Sequence, residues 1–233
     1  MVADDFSDVD WTGETDGAHF DARVFRRVIF RGLDLNACRF SDCSFFQCTF
    51  DSAALRDCEF DQCKFYDPDI ETGCSFRFSQ LTGSRWRHCD LTMTNFSRAT
   101  LYEATFSHCQ AQGADFSDAS ATHVVGRSVT LHGAILTDCN LAFADFSGTD
   151  MTDSDFSRSR LSHASFNDAN LEGTLLVDCE LHGIEAKRVR LVNADLRGSQ
   201  LDGLDIREID MQGVKINDFQ QRVLLEAIGM EID

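Results

Sequence analysis

The stretch LHGAILTDCNLAFADFSGTDMTDSDFSRSRLSHASFNDANLEGTLLVDCELHGIEAKRVRLVNADLRGSQLDGLDIREIDMQGVKI, Leu131–Ile216, carries an apolar residue at every fifth position. The series runs Leu131, Leu136, Leu141, Phe146, Met151, Phe156, Leu161, Phe166, Leu171, Leu176, Leu181, Ala186, Leu191, Leu196, Leu201, Ile206, Met211, Ile216, and Ala186 is its only small member. A period of five is neither the 3.6 of a helix nor the 2.0 of a strand. It is an internal repeat, and a repeat this short implies a solenoid whose units bury a face only by stacking.

The same spacing extends toward the N-terminus. A first block runs Phe20, Phe25, Phe30, Leu35, Phe40, Phe45, Phe50, Leu55, Phe60, Phe65. The next apolar centre is Phe76, eleven positions on rather than ten, and the only proline, Pro68, lies in the interruption. The segment YDPDIETG (Tyr66, Asp67, Pro68, Asp69, Ile70, Glu71, Thr72, Gly73) is therefore expected to leave the winding as a loop, with the register slipped by one residue. A second block runs Phe76, Leu81, Trp86, Leu91, Phe96, Leu101, Phe106, Ala111, Phe116, after which Ala121 and Gly126 occupy central slots and Leu131 resumes the series. THVVGRSVT (Thr122, His123, Val124, Val125, Gly126, Arg127, Ser128, Val129, Thr130) is expected to be a second projecting loop whose length preserves the count. Fifteen of the twenty phenylalanines are central residues, which commits the aromatics to the core.

The ten cysteines lie two residues before a central residue, a slot filled elsewhere by Ala99, Ala144, Ser154 or Thr174. That placement makes them small interior fillers with free thiols. No CxxC or similar spacing suggests zinc. The seven histidines form no HExxH or paired-ligand pattern, and no GxSxG elbow or phosphate loop occurs. No metal, cofactor or catalytic residue is expected, and the chain reads as a binding protein rather than an enzyme.

The formal net charge is −18, from 39 acidic against 21 basic residues. Such a surface should repel nucleic-acid and membrane phosphates, so no direct nucleic-acid or membrane contact is expected, and should attract proteins with basic sites. Asp115, Asp145, Asp155 and Asp195 precede a central residue and Asp51, Asp61, Asp118 and Asp168 follow one, which suggests broad negative faces. No secretory leader or eighteen-residue apolar run is found, so a cytoplasmic location is expected. Residues 1–19 stand outside the repeat as an acidic arm or cap, and 20–216 form the repeat domain. Residues 217–233 read as a short C-terminal helix and tail, with Asn217 or Asp218 as N-cap and Gly229 as stop. The helix's apolar residues need a partner: the helix could fold back as a cap on the rod or pair with a second copy, and dimerisation is the sharper option.

Units such as ADFSD, TNFSR, ADFSG, SDFSR, ASFND, ANLEG and ADLRG match the pentapeptide-repeat signature, and the chain resembles that family over about residues 20 to 216. The resemblance implies an all-β solenoid, a right-handed quadrilateral β-helix with one pentapeptide per face and four per coil. Nearer still, LDGLDIREIDMQGVKINDFQQRVLLEAIG (Leu201–Gly229), FFQCTF (Phe45–Phe50) and CNLAFADFSG (Cys139–Gly148) are similar to the Qnr quinolone-resistance proteins. That similarity implies binding to the type II topoisomerases DNA gyrase and topoisomerase IV, with protection from fluoroquinolones through an acidic, DNA-like rod. It also implies that loop A (66–73) and loop B (122–130) contact the enzyme, and that a homodimer forms through Phe219, Val223, Leu224, Leu225 and Ile228. A structural or scaffolding solenoid, or a regulator of another protein, is the alternative; a simple uninterrupted solenoid would need neither the loops nor the terminal helix.

Overall fold

A computed structural model describes residues 17–126, 129–202 and 204–231. The chain winds as a four-sided parallel β-helix. One coil advances twenty residues, so that Phe20 pairs with Phe40 and Phe40 with Phe60. The rungs continue to Asp195 and Lys215. The residue before each central one makes the rung. Asp115 N donates to Thr94 O at 3.0 Å, and Asp115 O accepts from Phe96 N at 2.6 Å. Backbone polar groups are thus satisfied between coils, which a narrow apolar core demands.

Each corner is a tight turn with one residue in the left-handed region. At Phe96–Ala99, Arg98 has φ 59° and Ala99 N donates to Phe96 O at 3.0 Å. The Asp or Asn that precedes a central residue braces this turn: Asp115 accepts from Ser117 N at 2.9 Å, and Asp155 from Ser157 N at 2.8 Å. This side chain-to-backbone bond gives Asp and Asn in that slot a local structural use.

Inside, central side chains stack coil upon coil. Phe30, Phe50, Phe76, Phe96, Phe116, Phe146 and Phe166 form one column with ring centroids 4.4–5.2 Å apart. Rings on adjacent faces meet edge-on, as Phe45 and Phe50 do at 5.4 Å and 70°. Each such pair contributes about 0.5–1.5 kcal/mol beyond burial of area. The small slot holds the cysteines, all ten buried and unbridged. Their sulfurs point at carbonyls of the preceding coil, Cys63 Sγ to Phe40 O at 3.3 Å and Cys109 Sγ to Trp86 O at 3.5 Å. Burial pushes the thiols of Cys58, Cys74 and Cys89 up, and that of Cys179 to about 11, which keeps them protonated and unreactive.

Two expectations about register are corrected. Phe76 stacks directly on Phe50, so the coil that carries loop A contains six added residues rather than the single one that the slip in register suggested. Phe146 likewise stacks on Phe116, so the loop B coil contains ten. Leu131 is not a core residue. It is 39% exposed on a hairpin, and the core resumes at Leu136. Ten residues are two whole units, so counting in fives crosses the insertion in phase although the chain has left the rod.

At Ala186 the large–small order inverts. Ile184 takes the small slot, Ala186 the central one, and an apolar gap bordered by Phe166, Val189 and Leu204 remains. The rod ends in a helix, Asp218–Ala227, that lies on the last coil. Leu224 is buried there. So is Gln220, whose Nε2 donates to Leu196 O at 2.7 Å and Ser199 O at 2.8 Å.

Candidate functional site

Among the described residues no cluster of three His, Cys, Asp or Glu could hold a metal ion. None of the described helices is long and apolar enough to cross a membrane. What departs from the smooth prism is two hairpins and the terminal helix.

Loop A is a short antiparallel hairpin, Tyr66–Asp67 paired with Thr72–Gly73. Its base is fixed by Asp67, which is buried and accepts from Gln47 Nε2 at 3.0 Å and from Asp69 N at 3.1 Å. The bond from Gln47 holds this carboxyl below the usual carboxylate range. Asp67 is therefore a strut, not part of the contact surface that its sequence position suggested. Gly73 is required at the return strand, because a Cβ there would lie 2.4 Å from the Met93 backbone. Pro68, Asp69, Ile70, Glu71 and Thr72 form the exposed tip, with Tyr66 half-buried behind them.

Loop B is larger. Thr122–Val125 pairs antiparallel with Val129–His132, which extends the hairpin two residues past Thr130. Strand alternation puts His123, Val125, Val129 and Leu131 on one side, and Thr122, Val124, Thr130 and His132 on the other. The His123 ring stacks on Tyr102 at 5.3 Å and steadies the hairpin against the preceding coil. Val124, Val125, Val129 and Leu131 are all exposed, and Gly126 lies at the turn. Arg127 and Ser128 lie outside the described residues. Sequence reasoning missed Leu131 as a surface residue and Tyr102 as a support; the spacing of five disguised the first, and nothing local marked the second.

The hairpins do not share an edge. Loop A follows the second face of its coil and loop B the fourth face of its own, so they leave diagonally opposite corners. Two and a half coils separate them, about 12 Å along the axis. A partner that touches both must lie over two adjoining faces.

The acidic lattice is less free than composition suggested. Six of the 39 acids fall in residues 1–16, which contain no Lys or Arg. On the rod, Asp51, Asp61, Asp118 and Asp168 pair with Arg31, Arg87, Arg98 and Arg188 on neighbouring coils. Asp115, Asp145, Asp155 and Asp195 brace corner turns. At the C-terminal helix, Phe219 is 67% exposed and Ile228 39%, whereas Leu224 is 6% exposed against its own rod. Val223 packs on the same core, and Leu225 is half-buried.

With this geometry in hand, comparison with known proteins is informative. The family model "Pentapeptide repeat region" matches residues 79–148, and "Pentapeptide repeats (8 copies)" matches 139–176, 154–191 and 174–213. Together they span more than half of the 233 residues. The chain belongs to the pentapeptide-repeat family. Its fold is the right-handed quadrilateral β-helix expected of that family. Within it, the chain is similar to quinolone resistance pentapeptide repeat protein QnrB96 of Scandinavium goeteborgense, 29% identical over 124 residues, 53% of this chain and 56% of the relative. It is also similar to pentapeptide repeat protein QnrB4 of Escherichia coli, 31% identical over 102 residues, 44% and 47% of the two chains. These alignments span about half the length of the curated relatives. The solved structure of full-length QnrB1, a plasmid-mediated fluoroquinolone resistance protein, superposes with a TM-score of 0.82 at 29% identity, over 91% of this chain and 100% of that one.

Proposed function

We propose that this pentapeptide-repeat protein binds the bacterial type II topoisomerases, DNA gyrase and topoisomerase IV, and protects them from fluoroquinolones. The observation that carries this reading is the superposition on the whole of QnrB1, a resistance protein. The added hairpins support it, since a rod made for packing alone has no use for the exposed Ile70, Val124, Val125 and Val129. The protein acts by binding, not catalysis. Excess negative charge steers it toward a basic surface on the enzyme, loops A and B make the specific contacts, and two copies join through the exposed side of the C-terminal helix at Phe219 and Ile228.

The test is gyrase supercoiling at an inhibitory fluoroquinolone concentration with the protein titrated in. Rescue near stoichiometric protein is expected; supercoiling never restored at any concentration would refute the proposal. The hairpins supply their own controls. Deleting Thr122–Leu131 leaves Ala121-His132-Gly133-Ala134, in which Gly133, already at positive φ, falls in the left-handed corner position and buried Ala134 in the small slot. Deleting Asp67–Thr72 similarly joins Tyr66 to Gly73. Either variant should keep its thermal midpoint within about 3 °C and lose protection.

A further inference from the structure

The corner below loop A carries an apolar ridge that neither hairpin provides. The left-handed corner position suits Gly, Asn and Asp and is unfavourable for bulky side chains. Among the described residues, Phe78, Met93 and Phe143 are the large apolar side chains that stand there, at φ 58°, 54° and 61°. All three are exposed, at 45%, 53% and 57%. Phe78 has an intramolecular explanation: the guanidiniums of Arg77 and Arg98 each lie 5.5 Å from its ring. Met93 and Phe143 have no such cation, and they occupy the same corner.

Between them stands Gly113, and the Met93 sulfur lies over it, 2.7 Å from where a Cβ would be. Phe143 follows on the next coil and stacks on His163 at 5.1 Å and 14°. His163 in turn lies over Gly183, its Nδ1 2.5 Å from a Cβ position there. The glycines at 113 and 183 let Met93 and His163 lie flat along the edge, and Phe143 lies flat on the His163 ring. The result is a continuous ridge from Met93 to Gly183, four coil rises or about 19 Å long. Beside it, two residues further along each corner, run Asp115, Asp145 and Glu185. Their hydrogen-bond partners are neutral, Ser117 and Asn95, Ser147, and Asn167. No Lys or Arg among the described residues pairs with them.

We propose that this ridge is a docking surface for a basic amphipathic helix of a partner protein, whose apolar stripe covers Met93 and Phe143 while a row of Lys or Arg meets Asp115, Asp145 and Glu185. The length fits about three and a half helical turns. Charge complementarity selects this occupant: an acidic or neutral segment would leave the carboxylate row unmatched, and a second copy would bring like charge against it. The surface does not depend on the topoisomerase reading, because it uses no residue of either hairpin.

The test is fluorescence anisotropy with a fluorescein-labelled helical peptide, leucine on one face and lysine on the other, titrated with the full chain. The wild type should bind and weaken as salt rises. Met93→Asn/Phe143→Asn should weaken binding at least tenfold, without loss of thermal stability because asparagine suits the left-handed corner. Asp115→Asn/Asp145→Asn keeps the oxygen that braces each turn and should weaken binding about threefold, with a shallower salt dependence. Phe78→Asn, on the adjoining corner one coil above Met93, should change nothing. Equal binding by the wild type and the Met93/Phe143 variant would overturn the proposal, since attachment would then rest on net charge alone. A fall in sedimenting mass for that variant would also overturn it, in favour of a second copy on the ridge.

Discussion

Gln220 is the bolt that holds the terminal helix on the rod, and replacing it with leucine of similar volume should release that helix. Its amide makes three hydrogen bonds: Nε2 to Leu196 O at 2.7 Å, Nε2 to Ser199 O at 2.8 Å, and Oε1 from Asn217 N at 2.7 Å. The first two cross to the rod and the third closes the helix's own capping box, so at roughly 1 kcal/mol each about 2 kcal/mol, a factor on the order of 30, comes off the docking equilibrium. A solenoid is stabilised by nearest-neighbour contacts, so the cost should appear at this end and not in the coils above. Native-state hydrogen exchange reads the difference directly. Amides of Phe219–Ala227 should exchange on the order of 30-fold faster, while those in the coil around Phe96 and Phe116 stay unchanged. If helix protection is unaltered, the two bonds to the rod do not hold the helix. If the whole rod loses protection together, the end is not independent and the local picture is wrong. Because the proposed dimer contact at Phe219 and Ile228 sits on this helix, the variant should also sediment at the monomer mass.

Two further outcomes follow from particular residues. Ala186→Leu should fill the gap beside Phe166, Val189 and Leu204 and raise stability by about 1 kcal/mol in denaturant melts; a drop would mean that Ile184 already occupies the space. The bond from the Arg207 guanidinium, helped by Arg207 N, depresses the Asp205 carboxyl from 3.8 to about 2. A folded value below the unfolded one means that its stabilisation is present above pH ~4 and fades as pH falls toward 2. A carboxyl NMR titration should show that low midpoint in the wild type and a return toward 3.8 in Arg207→Gln; an unmoved midpoint would remove Arg207 as the cause.

The repeat of five was enough to define the solenoid, the identity of nearly every core side chain, the cysteine slot and the two places where the chain leaves the winding. Those properties depend only on position within a unit, and a unit is five consecutive residues. What depended on the tertiary structure was every relation between coils. Leu131 keeps the phase of the core yet stands on a hairpin, because an insertion two units long is invisible to counting. Asp67 reads as a loop acid and is a buried strut, since Gln47 of the preceding coil lies beside it. Several acids that look like open negative faces instead pair with arginines of neighbouring coils, as Asp51, Asp61, Asp118 and Asp168 do. Met93 and Phe143 fall on one edge, two coils apart with Gly113 between them, only because the loop B insertion makes the coils of Gly113 and Phe143 30 residues apart, as Gln110 pairs with Asn140, instead of the usual 20. Local spacing decides whether a side chain points in or out. Which partner it meets is decided by the lateral stacking of coils, and the two insertions reset that stacking.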